Sequence, residues 1–319
     1  MARLALVIVG LLLVVGAVDL LLPSGDRPRQ RPETDRRPAP QAPAPRAPAP
    51  QARGPEQPWR PPQTSPGAPL RPPGSRDPSI LINIPPEKRS SIGTAFSIDP
   101  RGVWLTARHV ADGCQRIYIV VRPRQGLRVR SVYIHPRADL ALLTTAKGAP
   151  NLSFGDVALR LGQAGYHFGF PKGQPAAVTS SLIGRRVMRI RGRYATDEPV
   201  VAWAERNRVP NSDGGLGGIS GGPALDDQGR IIGVTVAGTK RRGRIYTTAP
   251  VSIRAALRAA KVAPPTTATA RTGPPDDRNF VSVGADLRSK LTVAKVVCYA
   301  RDRVRRDNPR RPDPAGGSQ

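Results

Sequence analysis

From Ile80 the chain breaks into short apolar runs bounded by Gly, Pro or Asp, and that pattern restricts the fold more than any other feature. Thr94–Ile98, Val103–Thr106, Arg116–Val121, Leu127–Ile134, Leu140–Leu143, Tyr166–Phe170 and Arg230–Val236 read as strands. Many strands of this size at short spacing, with few helical periods between them, predict an all-β barrel or sandwich. Ser252–Ala260 is the exception: a Ser cap and apolar residues at helical spacing predict a helix that closes this region.

The rest of the 319-residue chain is organised differently. Residues 1–22 open with Met-Ala-Arg and then run apolar from Leu4 to Leu22, interrupted only by Asp19. This suits a signal peptide or a single membrane anchor, and 19 residues just span a bilayer core of about 30 Å. The arginines after the run (Arg27, Arg29, Arg31) oppose export by the positive-inside rule, whereas the three-residue N-tail favours it. Export is the reading adopted. It gives a cell-envelope location, either anchored with the folded domain in the periplasm or secreted after cleavage. Residues 23–79 hold 18 of the 37 prolines and only Trp59 and Leu70 as large apolar groups. Such a segment cannot bury enough surface to offset its ordering entropy and is expected to be a disordered, extended linker. Residues 80–260 form the expected folded domain. Residues 261–319 are expected to be a basic, partly disordered extension that docks one element, the apolar patch Leu291–Tyr299, as an edge strand.

Composition narrows the function. Three His and two Cys exclude a large His/Cys metal framework and a disulfide-dense mini-protein. No phosphate-binding loop or metal-ligand spacing is visible, so no cofactor or metal is expected. A net charge of +27 invites a nucleic-acid reading. The excess is spread along the whole chain, however, and Arg outnumbers Lys 43 to 7 without any nucleic-acid motif, so no specific nucleic-acid partner is expected.

Three segments carry chemistry. Gly217-Gly218-Ile219-Ser220-Gly221-Gly222-Pro223 offers a serine on a tight glycine turn, where its hydroxyl is exposed and backbone N–H groups can face a developing oxyanion. His109 follows the strand Val103–Thr106, a suitable place for a general base. Asp139 stands directly before an apolar strand, where a buried carboxylate needs a partner such as an imidazole N–H. Each signal is weak alone. They gain weight together because they follow the order His, Asp, Ser, separated by 30 and 81 residues.

In that order and with those flanking strands, Ile92 to Leu257 resembles the trypsin-like (chymotrypsin-fold) serine proteases, and is most similar to the bacterial HtrA/Deg branch without its PDZ domain. Gly93-Thr-Ala-Phe-Ser-Ile98, Phe168-Gly-Phe-Pro171 and Gly229–Val234 share in the likeness. The resemblance implies two six-stranded antiparallel barrels with a C-terminal helix and the site in the cleft between them. It makes Ser220 the nucleophile, His109 the general base and later acid, and Asp139 the residue that orients His109. The N–H groups of Gly218 and Ser220 become the oxyanion hole. The implied activity is a serine endopeptidase acting on proteins or peptides through an acyl-enzyme.

The likeness is incomplete. Ile219 stands where animal trypsins have the Asp that pairs with a new N-terminus, so that zymogen switch cannot operate. Gly214 occupies the trypsin specificity position, with Asp213 one residue away. Ile219 and the positive charge leave open an alternative: a catalytically silent envelope protein of protease fold that binds polyanions or protein partners. His135 and His167, like Trp104, Trp203 and Tyr166, read as packing or surface residues. Lys240–Arg244 reads as a solvated hairpin tip. In an exported chain two free thiols would be unusual, which favours a Cys114–Cys298 disulfide pinning the C-terminal extension to the first barrel over two separate buried thiols.

Overall fold

Alternating apolar residues and glycine-bounded turns give a mostly β chain with few helices. The structure is a computed structural model that describes residues 67–300 apart from 156–157, 212–214 and 240–242. The apolar N-terminal run, most of the proline-rich segment, Asp213, Gly214, the tip residues Lys240–Arg242 and the Arg/Pro-rich terminus lie outside the described residues.

The first half contains β1 (Ser79–Ile84), β2 (Ser91–Asp99), β3 (Val103–Thr106), the one-turn helix α1 (Arg108–Ala111), β4 (Cys114–Arg122), β5 (Gln125–Ile134) and β6 (Ala141–Thr145). The second contains β7 (Ala164–Gly169), β8 (Ala176–Gly192), β9 (Thr196–Val209), β10 (Pro223–Leu225), β11 (Ile231–Thr239) and β12 (Arg244–Thr248). Helices α2 (Pro250–Ala259) and α3 (Phe280–Ser289) and strand β13 (Val293–Ala300) follow.

Six strands close into a barrel in the order β13-β2-β3-β6-β5-β4. The second sheet runs β8-β7-β10-β11-β12-β9 and becomes ring-like where β8 pairs with β9. The far half of β8 also carries β1, aligned parallel from Ser79 opposite Val187 to Ile84 opposite Gly192. Each sheet is filled by a fully buried tryptophan whose indole N–H donates to a threonine hydroxyl: Trp104 to Thr145 at 2.9 Å, and Trp203 to Thr247 at 3.0 Å. A buried indole needs such a partner, and a threonine on a neighbouring strand supplies it without adding a charge.

All seven strands read from the sequence overlap β2, β3, β4, β5, β6, β7 and β11, with Leu140, Phe170 and Arg230 falling just outside the observed strands. Several features differ. The helix begins at Pro250, with Ala249 as its extended N-cap and no side-chain cap, so Ser252 lies inside the first turn and not at the cap. Proline at the first position supplies a φ suited to the helix and loses only an N–H that would go unpaired there. Ordered contacts begin ahead of Ile80: the Gly67 and Leu70 amides donate to the carbonyls of Leu161 and Leu159, and Leu70 packs on the core around Trp203.

The C-terminal extension docks two elements where one was expected. Phe280, Val283 and Leu287 form the buried face of α3, and a Cβ on Gly284 would meet the Phe168 ring at 2.7 Å, so helix and strand β7 pack at close range. Strand β13 is not an edge strand. It pairs antiparallel with β2 from Val293 opposite Phe96 to Cys298 opposite Ser91, and on its other side with β4. Without β13, both β2 and β4 would present open edges; closure satisfies their backbone groups. Val293, Ala294, Val296 and Cys298 are all buried, each apolar side chain of valine size contributing about 1.5–2 kcal/mol.

Cys114 and Cys298 form a disulfide across the β4–β13 seam, with a sequence separation of 184 residues. Closing so long a loop restricts the unfolded chain. Substituting both cysteines with serine is therefore expected to lower unfolding free energy by about 2–4 kcal/mol, measured by denaturant titration of oxidised wild type against the double variant.

Candidate active site

His109 sits in α1, directly after β3 delivers the chain through the buried Ala107. Asp139 lies in the turn before β6 and is 1% exposed. The two are joined twice: the His109 amide donates to Asp139 Oδ1 at 2.8 Å, and His109 Nδ1 lies 2.7 Å from Oδ2. With Nδ1–H donating to the carboxylate, the neutral imidazole carries its lone pair on Nε2. The Tyr194 hydroxyl also donates to Asp139 Oδ1, at 2.8 Å. Burial alone would raise the Asp139 pKa, but the His109 charge and the hydrogen bonds from His109 and Tyr194 outweigh it and hold the carboxyl below its usual range.

Ser220 is held by its own backbone. Its carbonyl accepts the Thr94 amide at 2.9 Å, and the Gly218 carbonyl accepts the Thr94 hydroxyl at 2.7 Å. The same hydroxyl accepts the Phe170 amide at 3.1 Å, and the Thr94 carbonyl takes the Thr106 hydroxyl at 2.6 Å. The Gly217 carbonyl accepts the Lys172 amide at 2.7 Å. Because a trans peptide points its C=O and N–H in opposite directions, this turns the Gly218 N–H away from Lys172. Neither the Gly218 nor the Ser220 amide donates to another described residue. Gly218 requires glycine, since its φ is +106° and a Cβ would meet the Phe170 carbonyl oxygen at 2.5 Å. Ile219 is 1% exposed and packs in the core around Trp203, so an apolar anchor stands at this position in place of a charged one.

His109, Gly217, Gly218 and Ser220 line one cleft of about 410 Å³, with the segment Ile84–Ile92 and Arg193 forming its remaining walls. Lys88 in that segment donates to the carbonyls of His109 and Val110 at 2.7 and 3.0 Å. Burial, and then the neighbouring Arg193, bring its pKa down to about 8. A groove of about 440 Å³ over β5, lined by Leu127–Arg130 and Ala146, contains none of the candidate catalytic residues.

The structure thus bonds His109 to Asp139 and brings Ser220 to the same cleft as His109. His167 is a core residue, bonded to Ser180 at 2.8 Å and brought by burial to a pKa of about 3, so it stays neutral. His135, Trp104, Trp203 and Tyr166 are also buried. Sequence reasoning missed Thr94, Tyr194 and Glu198. Glu198 is nearly fully buried in β9, and its Oε1 accepts the Asp139 amide at 2.6 Å. The signal for it was available: Thr196, Glu198, Val200 and Ala202 alternate inward along the strand, which places a carboxyl among core residues.

A barrel joined to a ring-like β sheet, with a His–Asp pair and a glycine-flanked serine on one cleft, is the architecture of a trypsin-like serine peptidase domain. Residues 93–234 match the family described as "Trypsin-like peptidase domain", and this stretch of the chain carries that domain. Curated relatives include two named "Probable periplasmic serine endoprotease DegP-like". The one from Pseudomonas savastanoi pv. phaseolicola is 28% identical over 165 residues, 51% of this chain and 32% of the relative. The one from Marinomonas sp. (strain MWYL1) is 31% identical over 154 residues, 47% of this chain and 31% of the relative. The chain therefore spans about a third of the length of these relatives. Among solved structures, the active form of the Rv3671c protease from M. tuberculosis is 17% identical with a TM-score of 0.44, covering 62% of this chain and 97% of that one.

The serine turn tolerates substitution unevenly. At Gly221, with φ +88°, a Cβ would lie 2.0 Å from the Thr94 carbonyl oxygen and 2.2 Å from the Thr106 hydroxyl, whereas nothing lies within 4 Å of a Cβ on Gly217. Gly221→Ala is expected to destabilise the fold by about 3 kcal/mol, and Gly217→Ala by less than about 0.5 kcal/mol. Chemical denaturation of the two variants checks this contrast.

Proposed function

We propose that the protein is a serine endopeptidase in which Ser220 attacks the scissile carbonyl of a protein or peptide substrate. The observation that carries this reading is that His109, doubly bonded to the buried Asp139, lines the cleft that also holds Ser220. His109 Nε2 accepts the Ser220 hydroxyl proton as the Oγ–C bond forms. Asp139 holds the imidazole in the correct tautomer and stabilises the imidazolium. The Gly218 and Ser220 amides donate to the tetrahedral oxyanion. His109 then passes its proton to the leaving amine, giving an acyl-enzyme that water hydrolyses by the reverse sequence. In this reading the barrel and the ring-like sheet correspond to the two six-stranded barrels of the chymotrypsin fold.

Burial of Ile219 in the core supports activity over a silent binding protein, since the residue beside Ser220 fills space and leaves the turn's amides unspent. A disulfide fits an extracytoplasmic location, and the relatives' names support a periplasmic one, with the folded part anchored or secreted there.

A fluorophosphonate probe is expected to label wild type and fail to label Ser220→Ala. Turnover of a casein substrate should fall by at least about 10³-fold in Ser220→Ala and in His109→Ala. Well-folded wild type that takes no label overturns the reading.

A further inference from the structure

Asp139 is gripped from two sides. The barrel supplies the His109 contacts; the Tyr194 hydroxyl and the Glu198 carboxyl both come from the β8–β9 hairpin of the other sheet. Glu198 accepts the Asp139 amide through Oε1, while Oε2 is buried with no hydrogen-bond partner among the described residues. No described ion pair reaches it. An ionised carboxylate there would set a second negative charge against Asp139 in a site closed to water, which is costly unless one of the two carboxyls holds its proton.

We infer that Glu198 is a positioning residue that works as the neutral acid, docking the β8–β9 hairpin onto Asp139 and thereby fixing the His109–Asp139 pair. The inference rests on the peptidase reading for its effect on turnover, though not for its effect on the pair itself. Burial, and then the Asp139 charge, raise the Glu198 pKa to about 8. The group that acts on Glu198 is Asp139 from the β5–β6 turn; Tyr194 of the hairpin and His109 of α1 bond Asp139 in turn, and Arg108 of α1 and Arg193 of the hairpin act on Tyr194. Lys88 stands beyond Asp139 on the β1–β2 segment. Arg108 is committed to the face of the Tyr194 ring, 3.8 Å from its centroid, and to Asp112 at 2.9 Å. When Glu198 loses its proton, the new charge draws water and the hairpin withdraws, taking the Tyr194 hydroxyl off Asp139. The direction in stability follows from linkage: a folded-state pKa above the unfolded one gives stability that is complete below the ordinary glutamate value and is lost as pH rises to about 8.

The test compares the full chain with its Glu198→Gln variant, which keeps an accepting oxygen in place and cannot ionise. For wild type, kcat on a casein-derived peptide should fall about tenfold between pH 7 and pH 9, with KM little changed. In Glu198→Gln the ratio of kcat at pH 9 to that at pH 7 should stay near unity. Independently of turnover, the low-field His109 Nδ1–H proton resonance should shift with a midpoint near pH 8 in wild type and lose that step in Glu198→Gln. Tyr194→Phe, which removes beforehand the hydroxyl that the hairpin would withdraw, should lower kcat about tenfold at pH 7 and leave little further fall to pH 9. A limb and a resonance step that both persist in Glu198→Gln overturn the inference, and their disappearance in Lys88→Met would reassign them to Lys88. A resonance step that obeys these expectations in protein unlabelled by the fluorophosphonate probe would sustain the docking role while the peptidase reading fails.

Discussion

Thr94 holds the two halves of the molecule in the relation on which the rest depends. From the middle of β2 it binds the Ser220 carbonyl through its amide and the Gly218 carbonyl through its hydroxyl, and its own carbonyl takes the Thr106 hydroxyl from β3. The serine turn of one sheet is therefore aligned against the strand of the other that leads, by way of β3 and Ala107, to His109. A one-residue slip of β2 would turn the Thr94 side chain to the opposite face and release both carbonyls. Register in β2 is a condition of the site. That register is set on one side by β3 and on the other by β13, so a strand from the far end of the chain bears on the serine turn through ordinary ladder pairing.

The electrostatics of the interior run opposite to those of the whole chain. A chain of net charge +27 buries two acidic residues joined by one hydrogen bond, from the Asp139 amide to Glu198 Oε1. Asp139 is kept ionised by donors from His109 and Tyr194, whereas Glu198 has one backbone donor and no cation. The difference in hydrogen bonding, more than burial, separates two groups that are both almost fully enclosed. Arginines gather around this centre without entering it, stacking on Tyr194 or pairing with surface acids, where guanidinium groups keep contact with water.

Legibility in the sequence followed the clarity of the two-residue period. β2, β3, β5 and β11 combine β-branched residues with glycine boundaries and could be read directly. The long β8 and β9 were not. In β8, Arg185, Arg186, Arg189 and Arg191 interrupt the apolar pattern although Met188 and Ile190 alternate inward between them. In β9, Asp197, Glu198 and Pro199 stand near the start of the strand and Glu205, Arg206, Asn207 and Arg208 near its end. β10 is only three residues, too short to show a period. In α3 the helical spacing of Phe280, Val283 and Leu287 was present, but Gly284 weakened it, and only packing against Phe168 explains why glycine stands there. His109, Asp139 and Ser220 could be proposed from the sequence because the chemistry assigned to them constrains both residue type and local turn. Thr94 and Tyr194 act through contacts made across long stretches of chain, which leave no local pattern, whereas Glu198 left only its place in the alternation of β9.

The sequence by itself determined the mostly β class of fold and seven of its strand segments, and it supplied the three residues proposed for nucleophilic chemistry and the glycines around Ser220. These follow from local physics: side-chain alternation, allowed backbone angles and the reactivity of single groups. Only the tertiary structure decided that β13 closes the barrel, that Ile219 anchors the turn through burial, and that a carboxyl from the second sheet meets Asp139. Each of those depends on which distant segments share an edge or an interior, and that is settled by the joint satisfaction of backbone hydrogen bonds and buried surface across the whole fold.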